Sequence, residues 1–179
     1  MCLVRPLPQG ALVAVADGLG HGPEAVEAAR RAIGLLEESV GEHPLRSVRR
    51  CHEGLAGTRG AVLSLAWIDG AADAMTWIGV GNVEGVLLRA DREASPAQEQ
   101  LLLRAGVVGR QLPTLLASIV PLSPGDTLVF ATDGIRPDFA GDLRIAEPPE
   151  QAAHRILARH GTGTDDALVV VARYCGGSP

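Results

Sequence analysis

The sequence predicts a layered α/β sandwich with a substantial antiparallel component. Three unbroken apolar runs, Ala11–Ala16, Thr127–Thr132 and Ala167–Ala172, read as strands buried on both faces. Two amphipathic patterns between the first run and the middle of the chain read as helices. The central strand-like segments are joined by connections too short for crossover helices, which argues against a repeating βαβ order. A chain of 179 residues suits one good-sized core, so a single domain over 1–179 is expected.

The elements follow in chain order. The segment before Ala11 reads as irregular. ALVAVA is a strand ending at Asp17 and a glycine cluster. Pro23 suits a first helical turn, Glu24 and Glu27 complement the dipole there, and the helix runs to about Val40 with Gly41 as its stop. Leu45, Val48 and Leu55 share a helical face over Leu45–Ala56. Arg59–Asp69 and Asp73–Val80 flank Gly70-Ala-Ala as a hairpin, and Val83–Leu88 continues as a third strand after Gly81-Asn82. Asp91–Gln98 is a polar loop, and Pro121–Asp126 is a turn launching the next strand. A helix at Pro149–Arg159 precedes the last apolar strand.

Composition excludes several function classes. The net charge is −5 and aromatic residues are 3% of the chain, so a basic patch with interleaved stacking aromatics, the footprint of a nucleic-acid binder, is missing. Every basic residue is Arg, which removes a P-loop lysine from consideration. Cys2, Cys51 and Cys175 lack zinc-ligand spacing and read as reduced thiols. No apolar run approaches the ~20 residues of a membrane span, and MCLVRPLPQG has no signal-peptide organisation. A cytoplasmic protein, monomeric and without membrane or nucleic-acid partners, is expected.

Acidic residues stand at the ends of the apolar strands. Asp17 closes ALVAVA, Asp133 closes TLVFAT, and Asp165-Asp166 precede ALVVVA. If the first two strands run one way and the last runs opposite, all three sites meet at one edge. Clustered carboxylates repel one another unless a cation neutralises them. Oxygen-only ligands suit Mg²⁺ or Mn²⁺, and two such ions ~3.5–4 Å apart activate water against a phosphoryl group. Asp-Gly is also an ordinary turn signal, so each pair alone carries little. The glycine cluster Gly18-Leu-Gly20-His-Gly22 has an anion-binding look at a helix start. Its spacing is not that of a dinucleotide site, and Asp17 would repel a pyrophosphate.

Taken together, ADGLGHG (Ala16–Gly22), GVGNV (Gly79–Val83), ATDGI (Ala131–Ile135) and GTDDALVVVA (Gly163–Ala172) resemble the metal-dependent Ser/Thr phosphatases of the type 2C family. Their order is most similar to the small bacterial branch that contains SpoIIE, RsbU and RsbX, and the compact length to RsbX. Arg59-Gly60-Ala61 before a strand also fits. The resemblance implies a four-layer α-β-β-α sandwich and two Mn²⁺ or Mg²⁺ ions. It implies that Asp17 bridges the ions with the Gly18 carbonyl, that Asp133 ligates one, and that Asp165, with Asp166 as the alternative, completes the set. It further implies direct hydrolysis by metal-activated water, and as substrate a phosphorylated STAS-domain regulator of sigma-factor or stressosome-type stress signalling.

Family members carry an acidic Gly-Asp motif on an upstream strand, whereas no acidic residue precedes Asp17 here. A weakly held second metal is therefore expected. His21 is a candidate proton donor to the leaving seryl oxygen, or a residue that packs at the helix start. Arg5 is a candidate phosphate contact. His43, His52, His154 and His160 are expected to face solvent, and Trp67 and Trp77 to pack in the sheet core. Two other readings compete with the phosphatase: a non-catalytic binding module of the same fold, and a hydrolase of a small phosphorylated metabolite.

Overall fold

The structure, a computed structural model, describes residues 1–176. Its strands are β1 (Cys2–Leu7), β2 (Gly10–Gly18), β3 (Ala61–Asp69), β4 (Ala74–Val80), β5 (Glu84–Leu88), β6 (Gln98–Gln100), β7 (Leu103–Arg104), β8 (Ser118–Pro121), β9 (Thr127–Ala131) and β10 (Val169–Arg173). Its helices are α1 (Pro23–Glu38), α2 (Pro44–Gly54) and α3 (Pro149–His160), with a 3-10 helix over Pro137–Asp142. One sheet has the order β1-β2-β3-β4-β7, with β8 also paired to β4; the other has the order β10-β9-β5-β6. All pairings are antiparallel except β4 with β7.

Strand alternation sorts the apolar residues into layers. Leu12, Ala14 and Ala16 of β2 face α1 and α2, meeting Ala32, Leu36, Val48 and Cys51. Val13 and Val15 point the other way, into a core shared with Trp77 of β4 and with Leu87, Leu128 and Phe130 of the second sheet. Beyond that sheet, Val129 and Ala131 pack on Phe139 and on Ile156 of α3. The result is the expected α-β-β-α sandwich. α1 buries an alanine-rich face (Ala25, Ala28, Ala29, Ala32), which lets its backbone lie close against β2.

Several expectations need correction. The N-terminal segment is not irregular: β1 is an edge strand whose exposed residues and Pro6 hide the apolar alternation. Arg5 on β1 pairs opposite Leu12, and its guanidinium lies 3.9 Å from Glu37, so it does not reach the strand ends. Val83–Leu88 contains a strand as expected, but β5 belongs to the second sheet. Gly81-Asn82 carries the chain across, and the buried Ser64 hydroxyl donates to the Val83 carbonyl at 2.7 Å. Trp77 is in the inter-sheet core, whereas Trp67 packs partly buried on the helix side.

Of the four histidines expected to face solvent, His43 and His154 are exposed, His52 is half-buried and His160 is buried. His43 caps α2, accepting from the Leu45 N–H, and His52 accepts from the Gly109 N–H at 3.0 Å. His160 is buried, its Nδ1 3.0 Å from Asp138 Oδ1 and its Nε2 3.4 Å from Asp142 Oδ2. Arg155 completes this network, donating from Nε to both oxygens of Glu147 at 2.9 and 3.0 Å. The Arg155 hydrogen bonds hold the Glu147 carboxyl below its ordinary range, and the His160 bond does the same for Asp138. Folded-state values below the unfolded ones stabilise the protein above the ordinary carboxylate range, and that stability is lost as pH falls through the depressed values. Arg155→Met is therefore expected to lower the melting temperature at pH 7, by a difference that shrinks as pH falls below the carboxylate range. Circular-dichroism melts across pH check this; a pH-independent difference would indicate lost packing alone.

Candidate metal centre

Asp17 is the penultimate residue of β2, and β9 ends two residues before Asp133. β10 runs antiparallel to β9, so the segment entering β10 lies beside the end of β9. The main chains are tied there: the Thr132 N–H donates to the Leu168 carbonyl at 3.1 Å, and the Leu168 N–H to the Thr132 hydroxyl at 3.0 Å. The aspartates do come together, but between the two sheets and not at one edge of a single sheet: Asp17 lies at the end of a strand of the first, and Asp133 and Asp165 flank strands of the second. Asp17, Asp133, Asp165 and Asp166 line one open cleft of about 610 Å³, with Gly18, His21 and Asn82 among the other lining residues.

Two glycines explain why the motif is Asp-Gly and not merely Asp. A Cβ on Gly18 would stand 1.9 Å from the Ala25 carbonyl oxygen, so only glycine lets α1 close onto the end of β2. A Cβ on Gly134 would stand 2.3 Å from the Asp166 carbonyl oxygen, so glycine lets the Asp133 and Asp166 segments abut. Both glycines are buried, and neither needs a positive φ. Gly134→Ala is expected to cost about 1–3 kcal/mol, because the clash is with backbone and cannot relax through a side chain. Urea unfolding measures this.

The cleft carries an excess of negative charge. No arginine lines it. The half-buried Asp17 carboxyl is pushed up from its ordinary value, first by burial and then by repulsion from Asp133 and Asp165; the N-terminal ammonium and the Gly18 N–H pull against that rise. Asp165 Oδ1 accepts from the Asp166 N–H at 2.8 Å. Among the described residues no three His, Cys, Asp or Glu side chains already close on one point, so the carboxylates form an open set and not a preformed cage. An excess of anionic oxygens, offset only in part by the N-terminal ammonium, fits a hard divalent ion such as Mg²⁺ or Mn²⁺.

Every residue singled out as a candidate ligand, and His21, lines this cleft. His21 is exposed just before α1. Asp165 is among the charges that raise the Asp17 carboxyl. Sequence reasoning missed Asn82, whose side-chain amide donates to Asp133 Oδ2 at 2.8 Å. Its signal is its place in GVGNV, a motif that carries the family resemblance without assigning the asparagine a role.

The two packed sheets between helical layers, with aspartates from both sheets lining one cleft, are the fold of the type 2C protein phosphatases. The family model for stage II sporulation protein E (SpoIIE) matches residues 8–174, and the chain belongs to that family. The phosphoserine phosphatase RsbX of Bacillus subtilis (strain 168) is 25% identical over 163 residues, covering 89% of this chain and 79% of RsbX. A structure from work on the bacterial stressosome, a modular system adapted to control secondary messenger signalling, is 31% identical. It superposes with a TM-score of 0.86 over 97% of this chain and 90% of its own. The crystal structure of RsbX in complex with magnesium has the same fold, with a TM-score of 0.84 at 24% identity over 96% of this chain and 84% of RsbX.

Proposed function

We propose that the chain is a Mn²⁺- or Mg²⁺-dependent phosphoserine/phosphothreonine protein phosphatase acting in the cytoplasm as a single-domain monomer. Its substrate is a phosphorylated STAS-domain regulator of stress signalling. The observation that carries the chemistry is the anionic cluster of Asp17, Asp133 and Asp165 in one cleft. The likeness to RsbX and to the stressosome-associated structure supports the substrate class.

Asp17 with the Gly18 carbonyl, Asp133 and Asp165 would hold the ions, with Asp166 as the alternative to Asp165. Bound divalent cations would offset the phosphoryl charge and lower the pKa of water at the site. The chain's own residues set the stage for this. Asn82 fixes Asp133 through Oδ2 and leaves its other oxygen free. Gly18 and Gly134 hold the carboxylate-bearing segments together. His21, exposed at the cleft, would protonate the departing seryl or threonyl oxygen. No helix of the described residues is long and apolar enough to cross a membrane.

The test is release of inorganic phosphate from a STAS-domain protein phosphorylated on serine, with loss of the phosphate followed by mass spectrometry. Mn²⁺-dependent dephosphorylation supports the substrate assignment. Turnover of small phosphomonoesters with none of the phosphoprotein would remove that assignment and favour a metabolite hydrolase. Asn82→Ala should raise the Mn²⁺ concentration for half-maximal activity about 10-fold, the scale of a lost second-layer contact.

A further inference from the structure

We propose that a groove beside the carboxylate cleft docks an acidic segment of the phosphoprotein flanking its phosphoserine, read by Arg59 and Arg110; this rests on the phosphatase reading above. The groove, about 730 Å³, runs between the start of α1 and the Gly57–Gly60 turn. It shares Leu19 and Gly20 with the cleft, so a polypeptide with its phosphate in the cleft continues naturally into it.

The two depressions carry different charges. The cleft has carboxylates and no arginine, whereas the groove has both guanidinium groups beside Glu24 and Glu27. Arg59 Nη1 lies over Gly20, 2.9 Å from where a Cβ would stand, which places it at the junction. Its Nε donates to Glu24 Oε2 at 2.5 Å, an exposed pair that an incoming carboxylate can replace. Glu27, the groove's other acid, is turned to Arg30 at 2.8 Å.

The stem of Arg110 packs over Gly60, 3.2 Å from where a Cβ would stand. Among the described residues its exposed guanidinium makes no ion pair or side-chain hydrogen bond. A free guanidinium beside an exchangeable one is a receptor for carboxylates, which arginine binds through paired N–H donors. Leu19, 39% exposed at the junction, offers the apolar contact a peptide would cover. Because both arginines lie on one side of the cleft, the acidic residues are needed on one side of the phosphoserine only.

The test uses two fluorescein-labelled peptides carrying a non-hydrolysable phosphonate analogue of phosphoserine. One has glutamates on one flank, the other glutamines, and binding in Mn²⁺ is read by anisotropy. The wild type should bind the acidic peptide about 10-fold more tightly, with a preference that fades at high salt. Arg110→Glu should erase that preference, and Glu24→Gln, which frees Arg59, should enlarge it. Equal affinity of the wild type for the two peptides, or a preference that survives Arg110→Glu, would overturn the proposal. Binding needs no turnover, so p-nitrophenyl phosphate hydrolysis in parallel reports separately on the phosphatase reading.

Discussion

Asp17→Asn is expected to lose at least about 10²-fold in Mn²⁺-dependent turnover while making the metal-free protein more stable. Loss of a supporting contact already costs metal sites about 10–100-fold, and removal of a ligand costs more. The stability effect has the opposite sign. Burial and the neighbouring Asp133 and Asp165 raise the Asp17 carboxyl above its unfolded value. Such a group binds its proton more readily when folded, so metal-free stability falls as pH rises from the unfolded value through the raised one. Asparagine removes the charge and that decline with it. In EDTA at pH 7 the variant should melt about 1–3 °C higher, a modest gain because the site is half open to water. The stabilisation that Mn²⁺ gives the wild type should be missing from the variant. Paired thermal melts in EDTA and Mn²⁺ test both halves. A variant that melts lower in EDTA would show that Asp17 is a structural acid and not a strained ligand.

The largest expected loss of stability lies at the other end of β9. Asp126 is 1% exposed and accepts from Arg89 Nη1 at 2.9 Å, the Ala90 N–H at 2.8 Å and the Ser123 N–H at 3.0 Å. Arg89 also donates to the Pro121 carbonyl at 2.6 Å and pairs with Glu99. The group thus ties the turn before β9 to the end of β5 and to β6. Asp126→Ala takes away the more buried of the guanidinium's two carboxylate partners and strands two backbone donors, and should cost about 3 kcal/mol. The corresponding fall in melting temperature is about 10 °C. Arg89→Leu with Asp126→Leu should recover part of the loss, because the one charge then left without its partner, Glu99, is the most exposed of the three. Turnover per folded molecule should be retained, since the pair is remote from Asp133. If the double variant were no more stable than Asp126→Ala, hydrogen bonds to backbone and not the guanidinium's lost partner would dominate.

How far the sequence spoke depended on whether the deciding interactions were local. ALVAVA and TLVFAT were legible because burial on both faces leaves no polar interruption, and Asp17 and Asp133 because each follows such a run directly. β1 was hidden because an edge strand alternates weakly and carries Arg5 and Pro6. β6, β7 and β8 are too short to show a period at all. Asp126 looked like an ordinary turn residue in PLSPGD. Its burial is created by Arg89, which is 37 residues away in sequence. His160 was misjudged for the same reason: the carboxylates that accept it come from the 3-10 segment, not from its own helix. Asn82 became meaningful only when the fold brought Asp133 to it across 51 residues.

The central claim is that the carboxylate cleft is a divalent-metal site for phosphomonoester hydrolysis. Its most direct test is the rate of p-nitrophenyl phosphate hydrolysis by the wild-type protein as Mn²⁺ is titrated in from a chelated start. The account predicts no turnover in EDTA, saturable activation by Mn²⁺, and reversal when chelator is restored. Hydrolysis that proceeds equally well in EDTA, or no hydrolysis at saturating Mn²⁺, would contradict it.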